Sequence, residues 1–271
     1  MKNLIFLVLM ICSTLAHANL LISPTRILFS GNERAENVVI MNQGNTTATY
    51  RIELVTQRQT ADGGYLRLDN KKDDLTGMFA AEDMIRFSPR QVTLAPGEKQ
   101  TVRLSLRRPE RLPEGEYRTH LGFTQLPNPV AIDSAPGAAK MQVFMLTSFT
   151  IPVQVWQGKL NLQAKIAKAQ ILATPVSENP KQKQWAVAID LNRSGSFSSV
   201  GKLNVYWKPT LQEEYQRVAF LDNSTLYREL SHRTILIGLK DQPAKKGYYK
   251  VDYEAAKFYP QRIFDVFEFQ Y

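Results

Sequence analysis

The sequence predicts an all-β protein built from two β-sandwich domains. Short runs of alternating polar and apolar residues recur along the 271-residue chain, separated by turn-forming Gly, Pro and Asn. Apart from one helical turn expected within 75–84, no stretch of the first half has a helical pattern. Short alternating strands with regular turns are typical of antiparallel sandwiches, and a chain of this length can bury two ordinary cores.

The first predicted domain spans residues 19–157. Its strands are expected at 20–29, 36–42, 47–55, 99–106, 116–126 and 141–155. The turn signals QGN, DGG and APGE lie between them at 43–45, 62–64 and 95–98.

The second predicted domain spans residues 158–271, after the boundary signal QGK at 157–159. Its strands are expected at 185–191, 202–207, 215–221, 233–239, 247–253 and 262–269, with a polar loop at 177–184.

Residues 1–18 have the features of a secretory signal peptide. Lys2 is followed by an apolar run from Leu4 to Leu15 and by the small-x-small sequence Ala16-His17-Ala18. The run is too short for a membrane-spanning helix. A lipoprotein signal that uses Cys12 is the alternative, but the bulky residue before this cysteine disfavours it. We therefore expect a soluble, exported protein with no membrane insertion.

Cys12 is the only cysteine of the chain, and signal cleavage would remove it. The mature protein would then lack disulfides, thiol nucleophiles and cysteine metal ligands. An exported protein with a bacterial-type signal and no cysteine is predicted to reside in the periplasm.

The chain carries a formal charge of +9, which becomes +8 without Lys2 (9 − 1 = 8). The basic residues are scattered, which indicates mainly a solvated surface. An acidic or carboxylate-bearing protein is the next interpretation. Nucleic acid is not an expected partner in the periplasm.

Motifs for catalysis are weak. The mature chain retains only His120 and His232, and it has no G-x-S-x-G sequence. The segment at 195–202 lacks P-loop spacing and the Ser or Thr of that motif. The adjacent carboxylates Glu82 and Asp83 would point in different directions. We predict no enzyme activity, no metal and no cofactor.

The stretch KMQVFMLTSFTIPVQVW, residues 140–156, has no charge after its first residue. In a strand, its alternate side chains would form two rows, one on each face. Neither row is predominantly polar. A strand with both faces buried would have this composition. A central core strand is one interpretation, and a strand that also covers a partner's core is the other.

Several motifs occur together in the first domain. They are Thr25-Arg26 within an extended first strand, RFSPR at 86–90, LAPG at 94–97, LPEGEYRTHLGF at 112–123, and then residues 140–156. In this order, behind a signal peptide, they resemble the PapD-like periplasmic chaperones of pilus and fimbrial assembly. The resemblance is strongest to the archaic-type chaperone–usher branch, and it covers roughly residues 20–158.

This resemblance implies two immunoglobulin-like domains arranged as a boomerang. It also implies a chaperone that completes pilus subunits by donor-strand complementation, in which the last strand of the first domain fills the subunit's open groove. The subunits would pass to an outer-membrane usher without ATP. An exposed apolar donor strand also permits self-association.

The donor-strand residues follow from the alternation in 141–151. The row expected to enter the subunit groove comprises Met141, Val143, Met145, Thr147 and Phe149. Unbranched Met side chains suit pockets of several shapes.

The resemblance also implies a cationic anchor for the subunit's C-terminal carboxylate. Arg26 matches one cation of the family, whereas Thr150 stands where a Lys is expected. If Gln125 pairs with Gln142, Arg118 lies opposite residue 149, near the end of the donor strand. Arg26 and Arg118 are therefore predicted to form the anchor.

Two other functions fit a secreted β-sandwich protein. One is a structural or adhesive protein, such as a pilus component, although the strand bearing Arg26 begins very soon after the cleavage site. The other is a glycan-binding module, for which Trp185 and Trp207 would be candidates.

Overall fold

The computed structural model describes residues 20–69, 72–127, 147–176, 179–240 and 244–271, with side chains except in 174–182. The described chain is almost entirely β-structure and contains one 3₁₀ turn, Glu82–Met84. The predicted all-β class is confirmed. No helix among the described residues is long and apolar enough to cross a membrane.

Ten strands form the first pair of sheets. They are β1 (Leu20–Ser23), β2 (Ile27–Phe29), β3 (Ala35–Asn42), β4 (Ala48–Gln59), β5 (Tyr65–Leu68), β6 (Ile85–Ser88), β7 (Gln91–Leu94), β8 (Lys99–Leu106), β9 (Gly115–Leu126) and β10 (Ser148–Gln157). One sheet has the order β1-β3-β8-β6. The other has the order β2-β10-β9-β4-β5, with β7 also paired to β4.

Seven strands form the second pair of sheets. They are β11 (Leu162–Val176), β12 (Asn179–Gly195), β13 (Ser199–Lys208), β14 (Gln216–Leu226), β15 (His232–Gly238), β16 (Tyr248–Ala255) and β17 (Ile263–Gln270). Their sheets have the orders β11-β12-β15 and β14-β13-β16-β17. We call the two pairs of sheets the first and second sandwich.

Each sandwich encloses its own hydrophobic core. Fully buried members of the first core include Phe29, Tyr50 and Phe123, and those of the second include Val251 and Tyr253. Alternation along the strands supplies these residues, since every second side chain points to the same face. In β8, for example, Val102, Leu104 and Leu106 are buried and the residues between them are exposed.

A buried tyrosine fixes one corner in each sandwich. Tyr117, near the start of β9, donates its hydroxyl hydrogen bond to the carbonyl oxygen of Pro113 over 3.0 Å. Tyr249, near the start of β16, does the same to Lys245 over 2.8 Å. A tyrosine that bonds back to the backbone a few residues upstream is typical of immunoglobulin-like sandwiches.

The predicted first strand, 20–29, divides into β1 and β2, which belong to different sheets. The chain crosses between the sheets at Pro24–Arg26. Proline donates no backbone hydrogen bond, so a strand commonly ends beside it. The crossover brings Arg26 to the edge of the sheet that contains β10.

The register of β9 and β10 corrects one expectation from sequence. Arg118 lies opposite Gln154, and Phe149 lies opposite Phe123. The long connection between these strands gave no local signal for the register. Arg118 therefore does not lie beside residue 149, as the assumed pairing of Gln125 with Gln142 required.

Candidate functional site at the edge of β10

The first half of β10 has an unpaired edge within the described residues. On one side β10 pairs with β9 along its whole length, from Ser148 to Gln157. On the other side β2 runs parallel to it and pairs only with Val153 to Val155. The backbone of residues 148–152 therefore presents one open row of hydrogen-bonding groups. Such an edge can accept an additional strand.

The two faces of β10 have different surroundings. Phe149, Ile151, Val153 and Val155 pack against the first core. Ser148 and Thr150 are exposed on the other face, where the buried Gln154 also lies. The expectation that Phe149 points away from its own domain is therefore corrected, because its ring closes the first core.

Of the other predicted donor residues, the structure describes only Thr147. Met141, Val143 and Met145 lie outside the described residues. Thr147 is exposed, and its carbonyl oxygen accepts a hydrogen bond from Gln125 over 3.0 Å. The pairing of β9 with this segment thus extends to residue 147.

Arg26 lies at the point where the open edge ends. It precedes Ile27, which is opposite Val153 in the parallel pair. Its half-buried guanidinium donates from Nη1 to Oε1 of Gln154 and from Nη2 to Oγ1 of Thr225, the latter over 3.2 Å. Both partners are neutral. A guanidinium has five N–H donors, so further donors remain after these two bonds.

Arg118 is already neutralised by an acid of the second sandwich. Its Nη1 lies 3.1 Å from Oε2 of Glu229, and its Nη2 bonds the other carboxylate oxygen. Both side chains are almost fully buried. Burial disfavours the charge on Arg118, but the carboxylate outweighs this effect, and the pKa of Arg118 is raised.

Other contacts add to the engagement of the Arg118 guanidinium. Its Nη2 also donates to the carbonyl oxygen of Gln57, and its guanidinium lies 3.6 Å from the ring centre of Tyr227. The predicted pairing of Arg26 with Arg118 as an anchor is corrected on this ground. Glu229 lies 111 residues away in sequence, and no local pattern indicated the contact.

Arg233 is a cation near Arg26 that the sequence did not single out. Its Nη1 donates to the carbonyl oxygen of Thr225 over 3.2 Å, so the two arginines bind the same residue. Neither has a carboxylate within 4.0 Å among the described residues. Two unpaired guanidinium groups close together are suited to hold a carboxylate.

Two buried polar atoms near Arg26 lack partners in the described part of the chain. These two are Nε2 of Gln154 and Nδ1 of His120, and the buried Nε atoms of Arg118 and Arg233 likewise lack partners there. Burial, and the nearby charges of Arg118 and Arg26, lower the pKa of His120 to about 3. The imidazole is therefore neutral in the folded protein near neutral pH.

The two sandwiches are held together by a buried polar junction beside this site. The carboxylate of Glu116 accepts hydrogen bonds from the backbone N–H and the hydroxyl of Ser198, at 2.9 and 2.6 Å. Gln59 bonds the backbone of Thr225 and Tyr227 through its side chain. These bonds hold the second sandwich in a defined position relative to the edge of β10.

An aromatic cluster completes the junction. Trp156, at the end of β10, packs against Phe197, Phe258 and Tyr259 of the second sandwich with ring-centre distances of 5.4 to 5.8 Å. Its position on β10 puts this indole on the same face as Gln154.

The two tryptophans considered for glycan binding are half-buried and pack against the second core. Trp185 also contacts Tyr271. Trp207 donates from Nε1 to the carbonyl oxygen of Lys246 over 3.1 Å. Neither side chain therefore stands free on the surface as a sugar-stacking platform.

No protein-family model and no curated protein sequence matches the chain. Solved structures similar to it include the chaperone CfaA of class 5 fimbriae, at 10% identity and a TM-score of 0.44, covering 93% of this chain and 98% of CfaA. A chain of the CsuC–CsuE chaperone–tip adhesion subunit complex of Acinetobacter baumannii has 14% identity, the same coverage and a TM-score of 0.44.

A third similar structure is the CupB2 chaperone of Pseudomonas aeruginosa, at 11% identity and a TM-score of 0.43, covering 92% of this chain and 98% of CupB2. Identities and TM-scores at this level are too low to transfer an activity. The function proposed below therefore rests on the residues of the chain itself.

Proposed function

We propose that this protein is a non-enzymatic periplasmic chaperone for pilus subunits. It would complete a subunit's unfinished sandwich by lending it a strand, and then deliver the subunit to an outer-membrane usher. The motif order from Thr25-Arg26 through residues 140–156 supports this proposal, as does the secretory signal predicted in residues 1–18.

The open edge of β10 is the observation that carries the proposal. Residues 148–152 have a partner strand on one side only, and this half of β10 ends where β2 begins. A strand added there would satisfy its own backbone groups by hydrogen bonds to β10, which is the physical basis of β-strand addition.

The parallel direction of β2 gives the added strand a defined end. Consider a strand bound beside residues 148–152, in line with β2 and running parallel to it. The C-terminus of that strand would lie beside Arg26. A C-terminal carboxylate would then meet the free donors of this guanidinium, and Arg233 would supply the second cation. Such charge-assisted bonds are short and strong.

The segment that would enter the subunit's groove offers two rows of side chains. Alternation in the sequence selected Met141, Val143 and Met145. The orientation of Phe149 towards the first core favours the other row, in which Phe144 and Leu146 are the apolar members, provided that alternation continues.

Affinity purification from the periplasm of piliated cells, followed by mass spectrometry, tests the proposal. The tagged wild-type protein should recover a pilin-like subunit, whereas Arg26→Glu should lose it. A charge-assisted bond contributes about 1.5–3 kcal/mol, so the loss should be roughly ten- to a hundredfold. Arg262→Glu, on the exposed surface of the second sandwich, is the matched control.

Aspartate substitutions in the same assay distinguish which of the two rows enters the subunit's groove. Phe144→Asp and Leu146→Asp should abolish recovery if their row enters the groove, whereas Met145→Asp should do so if the other row does. Recovery of no pilin-like partner by the wild-type protein, or unchanged recovery by Arg26→Glu, would count against the proposal.

A further inference from the structure

A cavity of about 470 Å³ lies on the first sandwich, away from β10. It is lined by Asn32, Arg34, Leu106, Arg107 and Arg108. Three of its five residues are therefore cations, and Leu106 is its one apolar residue. The cavity lies where the C-terminal end of β8 meets the connection between β2 and β3.

The arginines of this cavity are unpaired. Among the described residues, no carboxylate lies within 4.0 Å of Arg34, Arg107 or Arg108. Arg108 donates from Nη2 to the carbonyl oxygen of Phe29 over 3.4 Å, and its buried Nε has no partner. The carboxylate of Glu33 is turned to its own loop, where it accepts the N–H of Gly31. Backbone hydrogen bonds of this loop are the main cause of its lowered pKa, and the charge of Arg108 lowers the pKa further.

The positive charge continues along the outer face of the adjoining sheet. Arg103 precedes Ser105 on the exposed side of β8, and the exposed Arg107 directly follows this strand. Arg86 of β6 lies directly opposite Ser105. None of the outward-facing residues of β1, β3, β6 and β8 is acidic.

Apolar side chains lie beside the cations on the same face. Leu21 and Val39 are 43% and 38% exposed. Val39 pairs with Thr101, and Arg103 is two residues further along β8. Arginine is enriched in protein–protein interfaces relative to the rest of the surface. The face lacks the exposed aromatic residues that commonly anchor a protein at a membrane surface.

We propose that the arginine face, defined by Arg34, Arg103, Arg107 and Arg108, binds an acidic segment of a partner protein. Carboxylates would bind the guanidinium groups in pairs of hydrogen bonds and relieve the repulsion between these neighbouring cations. Aliphatic side chains of the segment would cover Leu21 and Val39.

This surface is separate from the proposed subunit-binding site. Arg103 belongs to the sheet β1-β3-β8-β6, and the other three arginines lie in the connections at one end of that sheet. Arg108 contacts Phe29, which is opposite Val155, whereas the open edge of β10 is at residues 148–152. A partner bound to the arginine face would therefore leave the edge of β10 accessible. The two sites can be tested separately, and failure of one leaves the other intact.

Binding of a fluorescent poly-glutamate peptide to the full chain, measured by anisotropy, tests the proposal. The wild-type protein should bind it saturably, and more weakly as the salt concentration rises. The triple variant Arg34→Gln, Arg107→Gln, Arg108→Gln should lose about tenfold or more in affinity, because it removes three guanidinium groups that would bind carboxylates.

A second triple variant controls for net charge. Lys159→Gln, Lys165→Gln and Lys168→Gln remove three exposed cations from the region after β10. This variant should bind the peptide as the wild type does, and both variants should keep the wild-type circular dichroism spectrum. Equal loss in the two variants would overturn the proposal, because binding would then follow overall charge.

Phosphate and lipid provide the remaining arms of the experiment. Inorganic phosphate and phosphatidylglycerol vesicles are offered to the wild type and to both variants. Tight arginine-dependent binding of either one, with no binding of the peptide, would assign the surface to another ligand and overturn the proposal. A glutamine-rich peptide of equal length, which lacks carboxylates, should not displace the poly-glutamate peptide.

Discussion

His120 is neutral in the folded protein because its buried ring lies near two guanidinium groups, those of Arg118 and Arg26. Burial contributes most to the low pKa of about 3, and the two cations contribute further. In the unfolded chain the same imidazole would titrate near its ordinary value of 6.5. Between these two values the unfolded state binds a proton that the folded state does not.

The titration of His120 gives a prediction about pH. Because the unfolded state binds more protons between pH 6.5 and about 3, this residue should lower the free energy of unfolding as the pH falls through that window, by roughly 1.4 kcal/mol per pH unit. Urea unfolding of the wild type and of His120→Asn at several pH values measures the difference. The pH dependence should be shallower in the variant.

The exposed His232 serves as the control for this experiment. His232→Gln should retain the pH dependence of the wild type below pH 6.5. An unchanged slope in His120→Asn would show that His120 is protonated in the folded protein and would contradict the prediction.

Residue identity alone indicated part of the candidate site. Arg26 could be selected because it follows Pro24-Thr25 in a motif with a recognisable order. Arg118 could be selected as a cation, but its role depends on Glu229, which is distant in sequence and comes near only through tertiary packing. Arg233 had no sequence signal at all.

At the scale of the element, alternation predicted most strands well. β8, at Lys99–Leu106, has the predicted bounds, and β9 begins one residue early. The short strands β5, β6 and β7 were not predicted. The pattern also failed for the long strand β11, Leu162–Val176, which is rich in Ala and Lys. These residues have low β-propensity. The segment is a strand because it pairs with β12 in a long hairpin, and the local sequence pattern of β11 does not predict this pairing.

The tyrosine corners permit a prediction for single elements. Tyr117→Phe and Tyr249→Phe each remove one hydrogen bond to a backbone carbonyl oxygen. Each substitution should reduce the free energy of unfolding by about 0.5–1.5 kcal/mol, the usual net value of one such bond. Urea unfolding followed by fluorescence provides the measurement.

Tyr248→Phe is the matched control, because this half-buried neighbour makes no such corner bond among the described residues. It should change stability by less than about 0.5 kcal/mol. Equal effects of Tyr248→Phe and Tyr249→Phe would mean that the corner hydrogen bond contributes nothing specific.

At the scale of the whole molecule, the junction between the sandwiches determines how the candidate site is presented. Arg26 comes from the first sandwich, whereas Thr225 and Arg233 come from the second. Their proximity depends on the buried bonds of Glu116 with Ser198 and of Arg118 with Glu229. If the junction opened, Arg26 would separate from Arg233, and the proposed anchor would lose one of its two cations.

The ion pair of Arg118 with Glu229 should couple the unfolding of the two sandwiches. Glu229→Gln leaves the guanidinium of Arg118 buried without its counter-charge, an arrangement that typically costs about 3–5 kcal/mol. The wild type should unfold in one calorimetric transition. The variant should unfold in two, because each sandwich retains its own core while the contact between them is weakened. Glu214→Gln, at an exposed position on the second sandwich, is the control and should retain the single transition. If Glu229→Gln also unfolded in a single transition at an unchanged midpoint, the prediction would be contradicted.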